Sequence, residues 1–531
     1  MRGERLDCAA VNQGGLEARE ASVPRRAGLG VNALSSISGN LVYFAAIFVV
    51  TPLAIEHLGQ TGWGIWQLVG ATAIYAQLLN LGLGSAIHYQ VALRSAGADF
   101  AGLSRVFTNV RIYLALAGLA LLLLLVLAGR PLVNALIEDP VQRELAHSAL
   151  TISLVLTSID LQLRLYGSVL AGLQRMDLHG IFQITTALAL LGGAWLGFEH
   201  GMELRGFAAL MTVAPSMTAG LAAFSVRRLL PRQSLRISRP DLRLFQEMVG
   251  YSLSTTLYVA GSVVLYQTMK FLASSYCGGP AAAGHIGLSI SIAQTLSVLF
   301  TPAAGVLLAR VGQLQGEGRL GEVPALLETL LTLLGMALLP SLVFLVVNTR
   351  AVFVAWLGHT EAAEVIDQLV VTTRFLFIGH GFYIAALPFY YGLLGIGEHR
   401  VFGAGMFGVA LANTLIGALA AQHWPQIETL GLVYGVLMLA LVVCVTAPAG
   451  LRRFPLPLPR LLWRAVAAPL LASVPGALAL AYRPRLGRPL VDLALDALLF
   501  AALCLPGLEL ARRRFGLPLQ LGFRSAARPA Q

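Results

Sequence analysis

The chain has 531 residues, of which 57% are hydrophobic and 12% charged, with a formal net charge of +11. Mean hydropathy is +0.74, whereas an average globular chain has about a quarter of its residues charged. These values exclude a water-soluble enzyme, a disordered chain and a disulfide scaffold, and leave an all-α polytopic membrane protein. In chain order, residues 1–30 read as a polar cytoplasmic tail ending near Arg25 and Arg26, since no small-residue cleavage site follows a short apolar core. Fourteen apolar segments follow, at 33–55, 64–87, 110–129, 146–172, 180–198, 206–226, 247–274, 284–309, 325–347, 369–396, 401–422, 429–450, 461–482 and 489–510. Each is about the length needed to cross the hydrocarbon core as a helix. The connections are too short to hold an extramembrane domain, and residues 512–531 form a second cytoplasmic tail.

All basic residues are arginines save Lys270. Most fall on one side of the predicted membrane if the N-terminus is inside, which predicts both termini in the cytoplasm and an even number of spans. The excess positive charge then faces an anionic leaflet, and nucleic acid is not an expected partner. The densest cluster, Arg227, Arg228, Arg232, Arg236, Arg239 and Arg243, divides the chain. The expected organisation is an N-lobe at 31–228, a basic cytoplasmic linker at 229–246, a C-lobe at 247–452, and two further spans within 453–511. The halves look like repeats: YGSVLAGLQR (166–175) and YGLLGIGEHR (391–400) share Tyr, Gly, Gly and Arg at an offset of 225. Six spans per half give both halves one orientation, hence an axis along the membrane normal and a substrate path between lobes.

Charges within spans are costly and mark candidate sites. Asp160 and Arg164 stand four apart on one face of the fourth span. One reading is a cavity site in which Arg164 holds an anion and Asp160 takes part in ion coupling; the other is a self-neutralising pair that packs two helices. In the seventh span Tyr251, Ser254, Tyr258, Ser262, Tyr266 and Lys270 form one polar stripe. Lipid offers such a stripe no partner, so it should face protein or water, although Lys270 is also close enough to the outer end to snorkel. Arg374 near the outer end of the tenth span has the same two readings. Gln77 and Asn80 in the second span and Asn40 in the first complete the set of path-lining candidates. Cys8, Cys277, Cys444 and Cys504 have no ligand spacing, so neither a metal site nor a disulfide is expected. No P-loop is present, and no acidic outer loop that a membrane glycosyltransferase or ligase would need, so the chain is not expected to be an enzyme.

The stretch 58–87, with Gly59, Gly62, Trp63 and Trp66 before Asn80, Leu81, Gly82, Leu83, Gly84, Ser85 and Ala86, resembles the opening of Wzx-type polysaccharide flippases. These form the polysaccharide transporter branch of the multidrug/oligosaccharidyl-lipid/polysaccharide (MOP, MATE-like) exporter superfamily. The run VLAGLQRMDLHG (169–180) and the segment 393–413 are similar to further signatures of that family, and the resemblance covers about 30–510. It implies about 14 transmembrane helices: two pseudo-symmetric six-helix lobes in a V plus two C-terminal helices. It also implies alternating access in a bacterial inner membrane during O-antigen, capsule, lipopolysaccharide or exopolysaccharide synthesis. The implied substrate is an undecaprenyl-(pyro)phosphate-linked oligosaccharide moved from the cytoplasmic to the periplasmic leaflet. Membrane lipids and a polysaccharide polymerase with its chain-length machinery are the implied partners. There is no cofactor beyond coupling to H⁺ or Na⁺, which the sequence leaves open.

Arg164, Lys270 and Arg374, with Arg94 at the inner mouth, are the residues that would neutralise the pyrophosphate. The first span lacks the charge that some lipid-II-type members carry, which favours a surface polysaccharide over a peptidoglycan precursor. The rival within the superfamily is a MATE-type multidrug or organic-cation antiporter, which would want acidic cavity residues. Apart from Asp492 and Asp496 near an outer end, Asp160 is the one acidic residue well inside a span.

Overall fold

The computed structural model describes residues 29–80, 83–96, 99–398 and 400–516. Among them every regular element is helical. α1 (Leu29–Ala76), a 3₁₀ turn (Gln77–Asn80), α2 (Leu83–Ala96), α3 (Phe100–Leu136), α4 (Pro140–Gly172), α5 (Met176–Glu199) and α6 (Leu204–Leu229) come first. After a second 3₁₀ turn (Arg232–Leu235) come α7 (Leu242–Tyr276), α8 (Gly279–Gly316), α9 (Val323–Leu357), α10 (Ala363–Gly395) and α11 (Arg400–His423). α12 (Ile427–Ala440) runs through a π turn into α13 (Ala447–Arg453). α14 (Leu458–Leu462) leads through another into α15 (Ala468–Tyr482), and α16 (Pro489–Phe515) completes the described chain.

Helix starts follow local chemistry. Asp99, Asp139 and Asp241 cap α3, α4 and α7 by accepting from the backbone N–H of Gly102, Val141 and Leu244, groups that have no partner within the helix. Pro140 and Pro489 open α4 and α16, where a missing N–H costs nothing. α1 is interrupted at Gly59, whose φ of 70° and ψ of 170° are open to glycine and leave two helices on either side. Twelve helical stretches are long and apolar enough to cross a membrane. Counting the two parts of α1 separately and adding the 35-residue α7 recovers the fourteen segments of the sequence.

The chain forms two compact units, residues 1–284 and 285–531, so the division falls inside α8. In the first unit α4 packs on α3 and α6, α5 packs on α1 and α6, and α7 lies against α1 and α3. In the second, α10 packs on α9 and α12, and α11 packs on α12. α4 and α10 each have 33 residues, and α5 and α11 each have 24. The repeat is therefore present, but its register differs from the one the sequence match suggested.

Both helix ends carry the same C-terminal motif. In the first, Arg175 N–H donates to Leu170 O (2.9 Å) and residue 174 has φ 57°. In the second, Glu398 N–H donates to Leu393 O (2.8 Å) and residue 397 has φ 80°. Gln174 therefore corresponds to Gly397, an offset of 223 where the shared letters give 225. The left-handed position is held by glycine in one copy and glutamine in the other, which misled the letter match. Packing gives the same register: a Cβ on Gly172 would collide with Val91 and His88 O, and one on Gly395 with Val311 and approach Leu308 O.

Candidate functional site

The first unit contains a cavity of about 620 Å³ whose walls come from four helices: Tyr43 on α1; Asp160, Arg164, Gly167, Ser168 and Ala171 on α4; Met176, His179 and Gln183 on α5; and Pro215, Thr218 and Ala219 on α6. Small residues make the space. Where α1 crosses α5, a Cβ on Gly39 would fall 2.7 Å from Gly180 O, so the backbones meet there and the side chains of α5 beyond the crossing are held in place. Ser35 Oγ donates to Asp177 O (2.9 Å) at the same crossing. A Cβ on Gly167 would touch nothing within 4 Å, which leaves that wall open.

The polar lining is unusual for an apolar chain. Asp160 is buried and pairs with Arg164, whose side chain keeps 38% of its exposure. The four-residue spacing stacks the two side chains on one helical face, with the acid in the wall and the guanidinium reaching outward. Asp160 Oδ1, Gln183 Oε1 and His179 Nδ1 are buried without a hydrogen-bond partner among the described residues. Buried polar atoms are almost always partnered, and here three unsatisfied ones belong to residues lining one cavity. The cavity can therefore offer the exposed part of the Arg164 guanidinium to an anion, while the unsatisfied atoms lie buried in its walls.

Asp160 and Arg164 are thus brought together in the cavity wall, and Asn40 joins its rim by accepting from Gln183 Nε2 (3.0 Å). Tyr43, three residues from Asn40 on the first span, was readable with it, whereas Ser168, His179, Gln183 and Thr218 were missed by sequence reasoning. His179 lies within the signature run at 169–180 and Gln183 just after it, and their spacing of four was the available signal.

The other candidates lie elsewhere. Lys270 is buried at 8% exposure on α7, outside this lining and without an ion-pair partner among the described residues. On the same helix Tyr258 is half-buried and Tyr266 buried, while Ser262 Oγ donates back to Tyr258 O (3.0 Å). Arg374 is exposed, with its Nε donating to Val346 O (3.0 Å) on α9. Arg94 pairs with Asp99 and donates to Gln90 Oε1 (3.0 Å), at the start of α3. The N–H of Gly102 and the nearby Arg94 hold the Asp99 carboxyl below the usual carboxylate range. The side chains of Gln77, Asn80, Tyr251 and Ser254 lie outside the described residues.

Asp492 and Asp496 are answered locally. Arg483 reaches both, with its Nε 2.7 Å from Asp496 Oδ1, and Arg485 takes the second oxygen of Asp496. Near the far end of α16, a second cavity of about 750 Å³ is almost wholly apolar. It is lined by Leu299, Met336, Phe344, Phe500 and Leu505 among others, with Glu509 and Arg512 as its charged members.

No family model matches the chain, and neither does any curated protein. Among solved structures it is similar to the lipid II flippase MurJ in an inward closed conformation, at a TM-score of 0.67 and 13% identity over 91% of this chain and 99% of that one. It is also similar to an inward-facing multidrug resistance MATE family transporter of the MOP superfamily (TM-score 0.66, 15% identity, 82% and 98% covered). A third is a MOP superfamily transporter from Pyrococcus furiosus described by the reverse polarity of its binding pocket (0.54, 16%, 81% and 99%). The chain thus has the fold of MOP superfamily transporters and is a multi-pass membrane protein.

Proposed function

We propose that this protein is a flippase of the Wzx type, moving an undecaprenyl-(pyro)phosphate-linked oligosaccharide across the inner membrane from the cytoplasmic to the outer leaflet. The observation that carries the reading is Arg164, partly exposed in the wall of a polar cavity at membrane depth. Arg164 already meets Asp160, and its exposed part can meet a second anion as well, which a phosphate-bearing headgroup that must leave water to cross would supply. The polar side chains lining the cavity, Ser168, Gln183 and Thr218 among them, suit sugar hydroxyls. Both termini lie in the cytoplasm, the lobes 31–228 and 247–452 alternate access, and the product passes to a polymerase with its chain-length machinery.

A MATE-type cation antiporter is the second reading. Asp160 favours it, because its buried Oδ1 lacks a partner and could take up H⁺ or Na⁺. The same residue would serve ion coupling in a flippase.

Deletion of the gene, followed by analysis of lipid-linked glycans and surface polymer, separates the two. The flippase reading expects lipid-linked repeat units to accumulate and surface polysaccharide to be lost. It also expects complementation with Arg164→Ala to reduce export at least tenfold at normal protein level. Unchanged glycan with heightened sensitivity to cationic drugs would establish the antiporter instead.

A further inference from the structure

The segment between α6 and α7 reads in sequence as a linker, but it is fastened along its length to α3. Ser104 Oγ donates to Arg236 O (2.7 Å), and Arg111 Nη1 to Leu235 O (3.2 Å). Thr108 Oγ1 accepts from Ser238 N–H (2.9 Å). Asn109 holds both backbone groups of Asp241, donating to its carbonyl (2.8 Å) and accepting from its N–H (2.9 Å). Within the strap Leu230 and Ser234 are buried, and Leu235 packs on the apolar cluster of α2, α3 and α4.

What points outward is a mixture of charge and hydrocarbon. Arg232, Arg236, Arg239 and Arg243 are exposed, and between them Ile237 keeps 83% and Leu242 75% of its surface. Six arginines between 227 and 247 face two acids, Asp241 and Glu247. Those acids are taken up by Arg105 and Arg243 at 3.6 Å. Arg232, Arg236 and Arg239 have no carboxylate partner among the described residues.

We propose that this strap is a preformed docking surface for the anionic phospholipid headgroups of the leaflet that borders it. Three features select that partner. The strap continues from the end of α6 and is tied to the start of α3, both long and apolar enough to cross a membrane, so it stays at the level of their ends. Its unpaired guanidiniums match phosphate in sign and geometry. Exposed Ile237 and Leu242 suit an interface where apolar groups can enter the acyl boundary, and would be a liability in bulk water. Because the backbone is already fixed by α3, little ordering entropy opposes binding.

The test is to titrate phosphatidylglycerol into the delipidated full-length protein in detergent and count bound lipid by native mass spectrometry. The combined variant Arg232→Gln, Arg236→Gln, Arg239→Gln should bind on the order of a hundredfold more weakly, taking roughly fivefold per arginine. The corresponding lysine variant should stay within about tenfold of the parent, since the charge remains. Ile237→Ser should weaken binding severalfold without changing charge. Binding by the glutamine variant within twofold of the parent overturns the proposal. So does full competition by inorganic phosphate at the lipid's own concentration, or preferential capture of a soluble acidic protein over lipid. The readout is lipid binding, so its failure leaves the transport reading standing, and loss of the transport reading leaves the strap untouched.

Discussion

At an offset of 223 the wall of the cavity in the first unit can be compared, residue by residue, with its counterpart in the second. Gly167 and Ser168 correspond to Tyr390 and Tyr391, His179 and Gln183 to Phe402 and Met406, and Pro215 and Thr218 to Met438 and Leu441. The charged pair Asp160 and Arg164 corresponds to Tyr383 and Leu387. Tyr390, Phe402, Met406, Met438, Leu441 and Leu387 are all buried, and the rings of Tyr390 and Phe402 stand 4.4 Å apart. The same helix arrangement therefore encloses a partly polar cavity in one unit and a packed apolar core in the other. In the second unit buried His380 Nδ1 and Tyr434 OH are 2.9 Å apart, whereas Asn348 Oδ1, Thr373 Oγ1 and Asn413 Oδ1 are buried without a partner among the described residues. Repetition supplied the frame, and a handful of side chains leave a cavity in one copy and fill the corresponding space in the other.

Copying the second unit into the first should break this difference most completely. Gly167→Tyr has open space to enter, so the protein should fold and insert, while transport should fall at least a hundredfold. Near-normal export of the lipid-linked glycan by this variant would mean that the cavity is not on the path. The opposite change, Phe402→Ala, removes a packed ring and should cost about 3–5 kcal/mol in denaturant unfolding, with export rates within about twofold of the parent. Where the repeats agree, substitutions should act alike. Gly172→Ala and Gly395→Ala each drive a Cβ into a valine and should each destabilise by about 1–3 kcal/mol. The smallest effect is expected at the turn itself, where Gln174→Gly should stabilise by about 0.5–1 kcal/mol by relieving a left-handed backbone. Gly397 already has that relief.

The spans were legible in the sequence because bilayer thickness sets a length that apolar runs must meet, and the charge pair because α-helical spacing is fixed within one element. What could not be read was anything requiring two elements at once. Tyr43, His179, Gln183 and Thr218 reach the cavity from α1, α5 and α6, and their convergence depends on the Gly39–Gly180 crossing. Arg94 and Arg374 read as cations in a span or at its mouth; the partners they meet, Asp99 and Gln90 for the one and the carbonyl of Val346 for the other, again come from other turns or elements. The offset of 225 failed for a related reason. Letters were matched where the conserved object was a backbone conformation, held by glycine once and by glutamine once.

The central claim is that substrate occupies the cavity of the first unit and has no equivalent place in the second. Single cysteines at Gly167 and Tyr390, in a background lacking the native cysteines, test it directly when labelled with a membrane-impermeant thiol reagent in the presence and absence of undecaprenyl pyrophosphate. The account predicts that Gly167→Cys labels and is protected by the lipid, and that Tyr390→Cys stays unlabelled. Unprotected labelling at 167, or equal labelling and protection at both positions, would contradict it.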